Sequence, residues 1–331
     1  MQPYRSSFSF SQLSSAASTL LIFLALTYPP ATFAVDGVIE INQAAVMAGS
    51  VTASDTPGFP VTLDASGSYR LTGNLDIPDA NTNGIEITAQ NVTLDLNGFT
   101  LLGPTVCTGI TWDTPVTECA PPGTGVGITS ETDGITVRNG TVRGMGQDGL
   151  SLTGFQSRAE HIQAISNGGD GLNVSGGPTV GGAVIDCTAN DNGENGITLG
   201  GDGLVRGNNA SKNRETGIRV VSQGVVQGNN SSRNGSHGIF TNDGATIIGN
   251  TAYKNASIGI FARWGSTVIG NASRLNAGMG LFTQADPTDS AVGYAKNVFT
   301  GNNGGNANPQ VDGPNLFEMD SNICGTNTTC P

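Results

Sequence analysis

The 331-residue chain carries 14 basic against 26 acidic side chains, a formal net charge of −12, with 49 glycines and only 12% charged residues. This balance excludes a nucleic-acid binder, which needs a basic footprint, and opposes unassisted binding of an acidic polymer, since like charges repel unless a cation bridges them. A Gly-rich, charge-poor composition also suits disorder, but the apolar residues here recur at fixed intervals, which disorder does not produce.

The N-terminus reads as an export signal. Arg5 is the only charged residue in 1–34, an apolar stretch runs from Leu20 to Leu26, and Thr32-Phe33-Ala34 gives a small-residue exit. Cleavage after Ala34 is expected, releasing a secreted chain, periplasmic or extracellular, whose net charge falls to −13 with the loss of Arg5. The apolar run is shorter than the roughly 20 residues a bilayer span needs. No later segment approaches that length, so no membrane span is expected in the mature chain.

Residues 35–83 read as an N-terminal cap, with a short helix within Glu40 to Ala48 and irregular strands from Phe59 to Leu75. A cap is expected because open solenoid ends invite edge-to-edge aggregation. The repeat follows over 84–300. Gly-Ile or Gly-Leu occurs at Gly127, Gly149, Gly171, Gly196, Gly217, Gly238, Gly259 and Gly280, at spacings of 22, 22, 25, 21, 21, 21 and 21. Gly84-Ile85 lies 43 residues before Gly127, two coils with an insertion at 103–126 between them. Within that insertion Cys107 and Cys119 bracket a short stretch holding Trp112, which reads either as a substrate contact or as the loop's own core. Cys324 and Cys330 bracket the tail, so each pair is placed to close a local loop in an oxidising compartment. Cys187 is left over, and no CxxC or His/Cys cluster points to zinc.

Columns between the glycines carry the physical argument. Val205, Val226, Ile247 and Val268 share one position, and Ile197, Ile218, Ile239, Ile260 and Leu281 another. Stacked, they fill a continuous core. Asn208, Asn229, Asn250 and Asn271 form one amide column, and Asn192, Asn213, Asn234, Asn255 and Asn276 a second. Stacked amides donate one way and accept the other, so the Asn-X-Ser/Thr matches read as ladder residues more than as glycosylation sites. Short strands between Gly/Asn turns, without helical periodicity, predict three strands and three turns per coil of about 21 residues, nine or ten coils rising about 4.8 Å each. From about Asp286 the period lapses, and 301–331 reads as a C-terminal cap.

These columns, with Asn91-Val-Thr-Leu-Asp-Leu-Asn-Gly-Phe opening the repeat, resemble the right-handed parallel β-helix superfamily, which includes pectate lyases, polygalacturonases and alginate epimerases. The resemblance covers about 84–300 and implies an all-β, right-handed, single-stranded parallel β-helix. Fold alone does not carry activity. Asp286-Pro287-Thr288-Asp289 lacks the histidine of the epimerase motif. Asn242-Asp243, Ser236-His237-Gly238 and Ile218-Arg219-Val220 are only fragments of the polygalacturonase set.

The position before the repeat glycine reads Asp148, Asp170, Asn195, Thr216, His237, Ile258 and Met279, and the position before that supplies Glu194 and Glu215. Stacking sets Asp148 and Asp170 about 5 Å apart, so one carboxyl has a raised pKa or a cation such as Ca²⁺ sits between them. The plainer reading is a row of solvated turn residues. One step past the dipeptide, an outward column reads Ser151, Asn173, Thr198, Arg219, Phe240, Phe261 and Phe282. The three phenylalanines read as a stacking platform for sugar rings, or as a patch covered by the tail. His161 and Asp186 are expected to stack as an acid–base pair or a structural hydrogen bond, and Cys187, between Ile162 and Asn208, as a buried thiol.

The leading expectation is a monomeric secreted protein that binds or processes polysaccharide on one long face. A lyase would hold calcium with Asp148, Asp170 and Glu194 and use Arg219 as base, and a hydrolase would use two of the carboxylates as acid and base, with Arg219 and His237 near the join of the acidic and aromatic stretches. The rival is a non-catalytic surface, adhesion or structural module, favoured by the missing family motifs.

Overall fold

A computed structural model describes residues 37–176, 181–284, 290–326 and 330. The expected signal segment and the Asp286–Asp289 stretch lie outside the described residues. The chain is a right-handed single-stranded parallel β-helix. One face is an 11-stranded parallel sheet, called the front sheet, with strands Val61–Leu63, Ile85–Ile87, Ile128–Ser130, Leu150–Leu152, Leu172–Val174, Ile197–Leu199, Ile218–Val220, Ile239–Thr241, Ile260–Ala262, Leu281–Phe282 and Val311–Asp312. The rest of each coil belongs to a 21-stranded sheet that bends once per coil.

From Gly127 onward the repeat sets the register as the sequence predicts; before it, Ile85 pairs directly with Ile128, so the 43 residues from Gly84 to Gly127 are one coil enlarged by the insertion and not two. Ile197 pairs with Ile218, Ile218 with Ile239, Ile239 with Ile260 and Ile260 with Leu281. Val184, Val205, Val226, Ile247 and Val268 line the opposite wall and are fully buried. Both amide ladders form. Asn234 Oδ1 accepts from Asn213 N and Nδ2 at 3.0 Å, and Asn234 Nδ2 donates to Asn255 Oδ1 at 3.0 Å. This ladder explains the repeat glycine: a Cβ on Gly196 would lie 2.5 Å from Asn213 Nδ2, so no larger residue fits beside the amide.

The bend needs a left-handed residue in each coil. Gly207 and Gly228 supply it at φ 69 and 65, while His161 and Asp186 adopt it at φ 53 and 52, the region where Asp and His are tolerated better than most side chains. His161 and Asp186 do stack, Nε2 to Oδ2 3.9 Å, with both side chains exposed. Cys187 follows Asp186 and takes the slot of a ladder amide: its Sγ accepts from Ile162 N and its own N–H donates to Asn208 Oδ1. It is buried, and burial pushes its thiol up to about 12.

The stack extends past both ends of the 84–300 segment. Ile39–Ile41 pairs with Tyr69–Leu71 and Val61–Leu63 with Ile85–Ile87, so the segment read as irregular already winds as coil. At the other end Val311–Asp312, Leu316–Glu318 and Ile323–Cys324 add a further coil. Period alone missed these coils because their turns differ in length. A helix, Gln43–Ala48, covers the first coil through buried Val46, capped by Asn42 and by Gly49 at φ 61. Among the described residues no helix is long and apolar enough to cross a membrane.

Candidate functional site

The front sheet turns alternate side chains inward and outward. The outward column is the predicted one, Ser151, Asn173, Thr198, Arg219, Phe240, Phe261 and Phe282 in register. It extends to Thr62, Glu86 and Thr129 above and Asp312 below. The Gly84-Ile85 dipeptide already marked Glu86 by the same rule. Near this upper end Asn83, Glu86, Thr88, Thr129, Ser130 and Glu131 line a cleft of about 420 Å³.

In the lower half the three phenylalanines form an edge-to-face ladder, 5.2 Å from Phe240 to Phe261 and 5.3 Å from Phe261 to Phe282. His237 joins it, edge-on to Phe261 at 5.4 Å and stacked on Phe240 at 6.1 Å. Burial lowers the His237 pKa, and its Nδ1 has no partner among the described residues. Arg263, which sequence reasoning did not single out, reaches over Phe240 at 6.0 Å and bonds Asn242 and Gln284. The phenylalanines keep intermediate exposure, and the described tail continues the coil stack below them. Arg219 stands exposed next to Phe240.

Asp148 and Asp170 are not a solvated row. They are 8% and 7% exposed, because the column leans onto the front strands. Asp148 Oδ1 accepts from Asp170 N at 2.8 Å and Oδ2 from Asn173 Nδ2 at 3.4 Å. Asp170 Oδ1 accepts from Asn195 N and Nδ2, and Oδ2 from Thr198 Oγ1 at 2.6 Å. Asn195 repeats the pattern on Thr216 N. Burial, then the charge of Asp170, pushes the Asp148 carboxyl up to about 7, and burial raises Asp170. Glu194 is raised by burial and by Asp170 and Glu215, though both glutamates are exposed. Among the described residues no three His, Cys, Asp or Glu side chains converge to hold a metal. The Asp148 and Asp170 oxygens offered to calcium are instead engaged by donors from the next coil. His161 and Asp186 lie on a different turn from this strip.

The Cys107–Cys119 disulfide forms within an antiparallel hairpin, Val106–Thr108 with Glu118–Ala120, and Cys324–Cys330 closes the tail. The hairpin lies along the turns that precede the front sheet. Val116 N donates to Lys212 O, and Asp113 bonds Arg233 Nε and Lys254 Nζ, each at 3.1 Å. Trp112 is 76% exposed at its tip and so is not the loop's core.

The family model described as "Right handed beta helix region" matches residues 124–273. No curated protein matches the sequence at a significant level. Among solved structures the chain is similar to the Dettilon tailspike protein, at 14% identity and TM-score 0.48, covering 79% of this chain and 61% of that one. It is similar also to the A-module of Azotobacter vinelandii mannuronan C-5 epimerase AlgE4, at 15% identity and TM-score 0.48, covering 87% and 94%. A third is the catalytic unit of a GH87 α-1,3-glucanase from Streptomyces thermodiastaticus, at 13% identity and TM-score 0.45, covering 81% and 63%. The chain thus spans about three fifths of the tailspike's length.

Proposed function

We propose that this right-handed parallel β-helix is a secreted protein that binds a polysaccharide along its front sheet. The observation that carries this reading is the half-exposed ladder of Phe240, Phe261 and Phe282. A sugar's C–H face is apolar and weakly positive, and it suits an aromatic face, while its hydroxyls need polar groups at the rim. Arg219, Arg263, Asn242 and Gln284 stand beside the rings, and the hydroxyl and amide column continues above them. Glu86 in this column and the exposed Glu131, Glu194 and Glu215 beside it disfavour a polyuronate on this face, so the ligand is a neutral glycan.

A processing reading is supported by one observation, a carboxyl at Asp148 that keeps its proton to about pH 7. Its burial and its bonds from the Asp170 backbone N–H and the Asn173 amide oppose that role, which leaves binding without turnover. The test is affinity electrophoresis of the full chain against neutral glucans, mannans, galactans and xylans, and against a polyuronate. At least one neutral glycan should retard the wild type, and Phe261→Ala should lose about tenfold in affinity while keeping the wild-type melting temperature within a few degrees. Absence of retardation by every neutral glycan overturns the proposal, and product release that stops in Asp148→Asn would convert it to an enzyme.

A further inference from the structure

The seam between the hairpin and the coils beneath it holds a second arrangement, on a turn and apart from the front sheet. Lys212, Arg233 and Lys254 occupy one column, each in the left-handed region at φ 57, 57 and 53. The backbones that carry these three cations therefore stack about 4.8 Å apart. They sit in a cationic stretch of an acidic chain: eight of the 14 Lys and Arg lie between Arg206 and Arg274.

Arg233 is held between two aromatic rings, 5.1 Å from the Trp112 centroid and 5.2 Å from that of Tyr253. Lys212 lies 6.0 Å from Trp112 and Lys254 5.7 Å from Tyr253. Arg233 uses Nε on Asp113, while its two Nη nitrogens donate to nothing among the described residues, and the side chain keeps 18% exposure. A planar guanidinium edge of this kind pairs an oxyanion through two parallel hydrogen bonds. The hairpin itself is closed by its disulfide and anchored to the coils by Val116 on Lys212. A tip needed only for anchoring would gain by burying its tryptophan, yet Trp112 is 76% exposed.

We propose that this seam binds an anionic sugar, with a carboxylate or sulfate ester on the free edge of Arg233 and on Lys254, and the sugar ring on the open face of Trp112. Asp113 is the chain's own carboxylate in that position, bonded to both cations, and an incoming oxyanion displaces it. The site is independent of the front-sheet reading.

The experiment follows Trp112 emission in Trp264→Phe, where it is the sole tryptophan. The full chain is titrated with an oligouronate, a sulfated glucan, the same glucan unsulfated, and inorganic sulfate. At least one charged saccharide should change the emission saturably, and which one does so separates carboxylate from sulfate ester. The unsulfated glucan should have no effect. Asp113→Asn should tighten binding by about threefold or more, and Arg233→Lys, which keeps the charge and loses the fork, should weaken it by about tenfold. Calorimetry on the wild-type chain reads the same binding if Trp264→Phe does not fold. No response to either charged saccharide overturns the proposal, as does a response to inorganic sulfate alone or weaker binding in Asp113→Asn. Phe261→Ala should leave this signal unchanged. If it abolishes the signal, the charged ligand sits on the front sheet and the seam is not the site.

Discussion

Thr198 donates its hydroxyl to Asp170 at 2.6 Å, and this bond ties the outward column of the front sheet to the turn column beside it. Asp148 reaches Asn173 in the same way, and His237 reaches Phe261. The two columns are thus one strip, in which a turn residue leans onto the front strand of the next coil. In this strip the carboxylates act as acceptors for backbone N–H groups, a task Asn195 performs as an amide.

Replacing Asp148 by Asn should therefore keep the ladder and remove a buried charge. The Asp148 carboxyl is raised from its usual 3.8 to about 7 in the folded chain, so folding favours its protonated form. Its contribution is fully present below about pH 4 and is lost as pH rises through about 7, a loss of up to about 4 kcal/mol. The difference in denaturant midpoint between Asp148→Asn and wild type should be small at pH 4 and should grow in favour of the variant toward pH 8. A difference that stays flat with pH would show that Asp148 ionises freely in the fold.

Cys187 stands where the neighbouring coils carry ladder asparagines, and its thiol already accepts from Ile162 N. An amide there would also donate to the Ala159 carbonyl, which the thiol reaches at 3.5 Å. Cys187→Asn is expected to match or exceed wild-type stability, by about 1 kcal/mol at most. In the native wild type, a thiol this buried and pushed up to about 12 should not react with an aromatic disulfide reagent until the chain unfolds. Rapid native labelling would contradict the buried placement.

The repeat made much of this molecule legible. A fixed 21-residue interval assigns every residue a column, so the core, both amide ladders and the alignment of Phe240, Phe261 and Phe282 followed from spacing. Spacing does not give the direction in which a turn residue leans, and Asp148 and Asp170 were open to a solvated reading until their burial was seen. Nor does it place an insertion. Asp113 meets Lys254 across 141 residues, a contact with no periodic signature, so the cationic row and its flanking rings escaped sequence reasoning although each residue stood in a regular column.

Thr241 shows where the apolar pattern lapses at a cost. It follows Leu199 and Val220 in an inward column of the front sheet, is fully buried, and its hydroxyl has no partner among the described residues. The buried core separates into two clusters near this coil, one ending at Ile239 and the other beginning at Ala245. Thr241→Val keeps the shape and removes the unpaired hydroxyl. It should stabilise the chain by about 1–2 kcal/mol in equilibrium denaturation. A destabilised variant would mean that the hydroxyl finds a partner in solution.

Asn234 tests whether the ladder is cooperative along the helix. Its side chain accepts from Asn213 N and Nδ2 and donates to Ala210 O, Ser231 Oγ and Asn255 Oδ1, all within the buried interior. Asn234→Ala leaves those partners unsatisfied on both the preceding and the following coil, and a loss of at least about 3 kcal/mol is expected. In a solenoid each coil contacts only its neighbours, so such a loss falls on two interfaces and not on the whole chain. Hydrogen exchange should then show faster opening of the strands Asn209–Ser211, Asn230–Ser232 and Thr251–Tyr253, while Ile85–Ile87 and Val92–Asp95 keep their protection. Uniform loss of protection across all coils would show that the helix unfolds as a single unit and that the ladder does not act through nearest neighbours.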